Sequence, residues 1–230
     1  MKERLRNNLD DIITKIEKAR IAVSEHHIVK IVAVGKYSDE ESISTLYELG
    51  QRAFGENQVQ QLATRMKNLE HLPLEWHMIG SLQSNKINKL LDLRPAMFQA
   101  LDSLKLAESL NKRLEKRNQT LNTLLQINAA NENSKSGVAL HEAIDIYQQI
   151  KEKYPQIKLK GVMSIGAHSK NRQEIQKSFE DTYRIYEKLQ KEGATICSMG
   201  MSGDYELAIL CGSNLVRIGS KIFNQQSRKG

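Results

Sequence analysis

Ile31-Val32-Ala33-Val34-Gly35-Lys36 is a short apolar run that ends on a lysine, and its reading decides how the rest of the chain is read. With no polar residue before its last position, it reads as a buried strand, spanning 29–36. The lysine at its end either solvates the strand terminus or sits in a pocket. In a pocket, partial desolvation lowers an amine's pKa, and a neutral amine attacks an aldehyde to form a Schiff base.

Outward from this run the same unit recurs. Short apolar runs at 52–54, 74–79, 97–100, 123–128, 157–164, 195–199 and 214–218 read as seven more strands. Helical patterns separate them, over 40–49, 58–69, 84–91, a stretch ending near 117, 139–153, 172–192 and 204–210. Ser38 or Asp39 caps the first of these, and Gly50 and Gly193 stop two of them. Ahead of the first strand, residues 2–24 place Leu5, Leu9, Ile12, Ile13, Ile16 and Ala19 at helical spacing, a helix expected to close off one end. Alternating strands and helices predict an α/β fold, a single (β/α)8 TIM barrel with an extra N-terminal helix, as one domain over 1–230. An open doubly wound sheet is the structural alternative. The strand ends carry Lys36, Asn57, His77, Asp102, Asn128, Ser164, Ser202 and Arg217, polar residues expected at the C-terminal face, where barrels place their sites.

Composition narrows the function. The 230 residues carry a formal net charge of +7, but lysines and arginines are mixed with Glu and Asp along the helical stretches. No basic run is interleaved with aromatics, which argues against nucleic acid and for a solvated surface or a small anionic ligand. No apolar stretch is long enough to span a bilayer. The N-terminal Met1-Lys2-Glu3-Arg4-Leu5-Arg6 lacks the apolar segment of a signal peptide. Cys197 and Cys211 have neither metal nor redox spacing, so two free thiols in a reducing cytoplasm are expected, and no metal site.

Two stretches suit an anion. Ser198-Met199-Gly200-Met201-Ser202-Gly203 follows the seventh strand and leads into a helix, and Arg217-Ile218-Gly219-Ser220 follows the eighth. Small residues let backbone N–H groups approach a phosphate, and barrels frequently bind phosphate at these two loops. Asp204 competes for the same helix start, unless it serves as a stabilising charge in the first helical turn. Arg217 reads equally well as a strand-end arginine paired with Asp204 or Glu206. His77, between Trp76 and Met78, reads first as a hydrogen-bonded core histidine. The loop Lys135-Ser136-Gly137 is either a basic patch at the mouth or a plain connection.

Taken together, Ala33-Val34-Gly35-Lys36, Phe54-Gly55-Glu56-Asn57, Trp76-His77-Met78-Ile79-Gly80, Leu82-Gln83-Ser84-Asn85-Lys86, Gln126-Ile127-Asn128, Lys135-Ser136-Gly137, Ser198-Met199-Gly200-Met201-Ser202 and Val216-Arg217-Ile218-Gly219 closely resemble the YggS/PROSC family of pyridoxal phosphate (PLP) homeostasis proteins. The barrel of that family is similar to the N-terminal domain of alanine racemase, and the likeness covers nearly the whole chain. The resemblance implies that Lys36 forms the internal aldimine with PLP, that Ser202, Gly219 and Ser220 hold its phosphate, and that Arg217 faces the pyridine nitrogen. It further implies that Asn57, His77, Ser164 and Met201 line the pocket. The chain departs from the family pattern at Gly35, where serine is usual, at Gln58, where an aromatic is common, and at Asn224, where glycine is usual.

Three functions remain open. One is a non-catalytic PLP carrier, with no catalytic residue, that holds the reactive aldehyde and delivers it to recipient apoenzymes. The others are a racemase-like PLP enzyme and a Schiff-base aldolase. An arginine beside the pyridine nitrogen disfavours ring protonation and weakens the electron sink. Racemases of this kind draw their second proton donor from an additional C-terminal β-domain, whereas this chain ends just after the eighth strand. The carrier is therefore the expectation, as a cytoplasmic monomer with PLP and recipient apoenzymes as its partners.

Overall fold

A computed structural model describes residues 1–36, 38–130 and 136–224. Each apolar run becomes a strand parallel to its neighbours. The elements run α1 (Lys2–Val23), β1 (Lys30–Val34), α2 (Glu40–Glu48), β2 (Ala53–Glu56), α3 (Val59–Asn68), β3 (Glu75–Met78), α4 (Ile87–Leu93), β4 (Met97–Leu101) and α5 (Leu104–Lys116). They continue as β5 (Leu121–Asn128), β6 (Val138–Ala139), α6 (Ala143–Lys153), β7 (Ile157–Ser164), α7 (Arg172–Leu189), β8 (Ile196–Ser198), α8 (Tyr205–Leu210), β9 (Leu215–Ile218) and α9 (Ser220–Phe223).

Strand order β4-β3-β2-β1-β9-β8-β7-β5, with β4 also paired to β5, closes eight parallel strands into a barrel. The β1–β9 pairing joins the last βα unit to the first in the register Ala33↔Ile218, so the open sheet is excluded. Closure removes both sheet edges and leaves no exposed row of backbone donors and acceptors. Alternation along each strand then sorts side chains into two environments. Phe54, Phe98 and Ala33 belong to the large core cluster, while Val32, Ala53 and Leu215 form a small separate one.

Several boundaries differ from the expectation. The first strand stops at Val34, so Gly35 and Lys36 belong to the turn after it. Asp39, not Ser38, caps α2, its carboxylate accepting from the Ser42 N–H at 2.8 Å. The helix expected from 139 begins at Ala143, after a two-residue strand, β6, paired outside the barrel to the end of β5. The one-turn helix α9 was not foreseen, because four residues give no readable period.

The N-terminal helix does not cap an end of the barrel. It packs in the helix layer against α2, α8 and α9, burying Leu5, Leu9, Ile12, Ile16 and Ala19 and leaving Ile13 exposed. The buried Asn8 amide donates to the Ile222 carbonyl at 2.8 Å and to the Asn224 carbonyl at 3.2 Å, fastening α9 in place. Among the described residues no helix is long and apolar enough to cross a membrane.

Candidate functional site

A cavity of about 340 Å³ opens where the β1, β2, β3, β7, β8 and β9 strands hand over to their following loops. Lys36, Asn57, Met201, Ser202, Arg217, Gly219 and Ser220 all line it, so seven of the nine anticipated residues meet in one place. The volume suits a small organic ligand.

Lys36 reaches the cavity from a turn braced on three sides. The Ser38 N–H and hydroxyl both donate to the Gly35 carbonyl, at 2.9 and 3.0 Å. Two side chains of α3 complete the bracing: Arg65 donates to the carbonyls of Gly35 and Ser38, and Gln61 donates to that of Lys36 at 3.3 Å. Lys36 as a residue is exposed, and it lines the cavity at its mouth. Beneath the turn lies a buried pair, with Arg65 Nε 3.3 Å from Glu56 Oε1. Burial raises the Glu56 carboxyl to about 7, and Arg65 opposes this only in part. Gly35 fits this arrangement, since a Cβ there would stand 2.7 Å from Glu56 Oε1.

The opposite wall is built by the loops after β8 and β9. Gly200 takes φ +91°, and a Cβ there would collide with Ala208 Cβ at 2.7 Å and Tyr205 Cα at 2.8 Å, so the tight turn requires glycine. Asp204 turns back on its own loop, accepting from the Met201 N–H at 2.7 Å. Its carboxylate is thus spent on shaping the loop. Ser202 Oγ accepts from the N–H groups of Gly219 and Lys221, at 3.2 and 3.4 Å, and so ties the two loops together. Among the described residues no hydrogen bond uses the backbone N–H of Ser202, Gly203 or Ser220, all of which line the cavity. Unpaired donors from small residues on two converging loops are groups that could hold an anion.

Arg217 is 5% exposed, and it is not in an ion pair with Asp204 or Glu206. Its guanidinium donates to the carbonyls of Ser164 and Ser198, both at 2.9 Å, and to the Ser198 hydroxyl. Burial lowers its pKa to about 10, with the charge of Asp204 opposing, so it remains a cation at neutral pH.

Two anticipated residues fall outside the lining. Ser164 faces away from the barrel, its hydroxyl accepting from Thr182 Oγ1 of α7 at 2.9 Å; it contributes only the carbonyl that holds Arg217. Its chain neighbours Met163 and Ile165 line the cavity instead. His77 faces inward but is fully buried, held between the Glu75 carboxylate at 2.8 Å and the Gln99 amide at 2.7 Å. Ile79, two residues on, takes the place at the wall. In both strands the miss has one cause: period-two alternation fixes the face, but strand tilt fixes the depth. The same rule would have found Val34, two residues before Lys36. Phe223 ends α9 and Asn224 follows it, an element with no readable period. Asp102 and Asn128 do not line this cavity, and Lys135 lies outside the described residues. Cys197 and Cys211 are unpaired, with burial pushing the Cys211 thiol up to about 11, and no metal-holding cluster exists among the described residues.

Comparison with known proteins agrees with this geometry. The family described as alanine racemase, N-terminal domain, matches residues 3–226. A pyridoxal phosphate homeostasis protein of Helicobacter pylori is 57% identical over 220 residues, covering 96% of this chain and 98% of that one. PipY of Synechococcus elongatus, solved with PLP bound, superposes with a TM-score of 0.81 at 27% identity, covering 95% of this chain and 99% of that one. An alanine racemase of Clostridium difficile shares the barrel alone, with a TM-score of 0.76 at 16% identity; the match covers 99% of this chain but 58% of the racemase. A relative this similar over nearly its whole length, together with the family match, places the chain in the pyridoxal phosphate homeostasis protein family, on the barrel of the alanine racemase N-terminal domain.

Proposed function

We propose that this protein binds pyridoxal 5'-phosphate at the barrel mouth, holds it as a Schiff base with Lys36, and supplies it to apoenzymes without turning over amino acids itself. One observation carries the reading: the Lys36 amine and the Ser202, Gly203 and Ser220 cradle line the same cavity. These residues fit a phosphorylated aldehyde at both ends. The amine condenses with the aldehyde carbon and releases water, while unpaired N–H donors take the phosphate oxygens. Arg217, buried and cationic, is the group to meet the ring nitrogen, where a second positive charge is disfavoured. Bound PLP supplies an electrophilic carbonyl and an electron-accepting ring.

Support for holding over catalysis comes from the cavity wall. Apart from Lys36 and Arg217, the described lining residues are apolar, amide or hydroxyl side chains and glycines. Proton transfer on two faces of a substrate needs a proton-transferring group on each face, and apart from the Arg217 guanidinium this lining offers one amine. The name of the Helicobacter pylori relative points the same way.

Borohydride reduction of the PLP-loaded protein followed by peptide mass spectrometry tests the attachment. The pyridoxyl group is expected on Lys36 and lost in Lys36→Ala; another lysine carrying it would refute the assignment. Mixing the loaded protein with an apo-PLP enzyme and a scavenger of unbound PLP tests delivery. Recovery no faster than passive release, together with amino-acid turnover in the ordinary range of about 1–10³ s⁻¹, would favour a racemase-like enzyme instead.

A further inference from the structure

His77 does not reach the cavity, yet it is not an isolated core histidine. It is the middle of a polar chain that crosses the barrel interior. At one end, Glu75 and Lys30, the first residues of β3 and β1, form an ion pair of 2.6 Å with both side chains partly exposed. The Glu75 carboxylate accepts from His77 Nε2 at 2.8 Å. Gln99 Nε2, from β4, meets His77 Nδ1 at 2.7 Å, and Ser198 Oγ, from β8, donates to Gln99 Oε1 at 2.8 Å. The last link is the Arg217 guanidinium, which donates to Ser198 Oγ. His77, Gln99 and Ser198 are each 0% exposed.

The polarity of the chain is uniform. Arg217 donates to Ser198, Ser198 to Gln99, Gln99 to His77, and His77 to Glu75. Each donor points from the buried cation toward the carboxylate. The partners fix the histidine tautomer, with the proton on Nε2 facing Glu75 and Nδ1 accepting from the amide. With the Gln99 amide reversed, both ring nitrogens would have to carry protons to serve Gln99 and Glu75 together. A chain of aligned hydrogen bonds polarises its members in turn, and it does so most strongly where water is absent. Arg217 has no carboxylate in hydrogen-bond contact, although the charge of Asp204 acts on it through space, and this chain is the hydrogen-bonded link between its guanidinium and a carboxylate.

We propose that Glu75, His77, Gln99 and Ser198 form a positioning relay for Arg217, which orients the guanidinium at the cavity wall and links the Lys30–Glu75 pair at the other end of the barrel to the electronic state of the bound cofactor. These four are positioning residues, since none of them lines the cavity. The relay rests on the PLP reading only for its effect on the cofactor; its existence is a property of the apo-protein.

The experiment therefore has two arms. In ¹⁵N-labelled apo-protein, long-range ¹H–¹⁵N spectra report the His77 tautomer and the shift of each ring nitrogen. Arg217→Met and Ser198→Ala, neither of which alters a hydrogen-bond partner of His77, are expected to move its Nδ1 resonance. In protein loaded with PLP labelled at the ring nitrogen, Glu75→Gln is expected to shift that nitrogen's resonance and the cofactor's absorbance maximum. Glu75 lies at the surface, so its replacement keeps the arm readable if a core variant fails to fold. Silence of His77 in both apo variants overturns the relay. A bound-cofactor spectrum identical in Glu75→Gln and wild type overturns its link to the cofactor. If the wild type takes up no PLP, the functional reading falls, while the apo arm still decides the relay.

Discussion

Replacing Glu56 by glutamine should remove a stability loss that the wild-type protein suffers as pH rises through neutrality. The carboxyl is fully buried; among the described residues neither oxygen has a hydrogen-bond donor, and the countercharge beside it is Arg65 Nε at 3.3 Å. Burial outweighs that countercharge and raises the group from 4.5 to about 7. Between those values the folded protein keeps a proton that the unfolded chain has already released, so stability falls with rising pH. The contribution is fully present below pH 4.5 and is lost as pH passes through about 7. At about 1.4 kcal/mol per unit, the loss amounts to about 3 kcal/mol. Urea denaturation of wild type and Glu56→Gln at acid and mildly alkaline pH measures it, with the unchanged surface groups cancelling between the two proteins. Glutamine resembles the protonated carboxyl, so the two proteins should be close in stability at the acid end and diverge by about 3 kcal/mol at the alkaline end. Identical pH dependence within about 0.5 kcal/mol would refute the reasoning and show that Arg65 holds Glu56 ionised throughout. The effect bears on function because Arg65 also grips the carbonyls of Gly35 and Ser38, which flank Lys36.

Two further outcomes follow from the opposite wall. Gly200→Ala forces a Cβ into positive φ and against Ala208, and should destabilise the protein by about 1–3 kcal/mol in urea melts while weakening PLP binding. Ser202→Ala removes the hydroxyl that receives the Gly219 and Lys221 N–H groups; absorbance titration should show PLP affinity reduced about twofold to tenfold, with the fold intact.

The amino-acid sequence by itself determined what depends on near neighbours along the chain. Apolar runs a few residues long and helical spacings between them sufficed for eight barrel strands and for the helices around them, because both periods are local properties of the backbone. Small residues after the seventh and eighth strands and the run ending in Lys36 marked residues that line one cavity. Tertiary structure alone decided depth and distance. Ser164 and Ile165 differ by one position, yet one faces α7 and the other the cavity. His77 and Ile79 share a face, yet barrel tilt puts one below the cavity and the other on its wall. The spacing in α1 marks its apolar face but not its place, in the helix layer, where Asn8 fastens α9 from 214 residues away. Glu75, His77, Gln99, Ser198 and Arg217 meet only because closure brings β3, β4, β8 and β9 around one interior, and no local period records which inward side chains will touch across it.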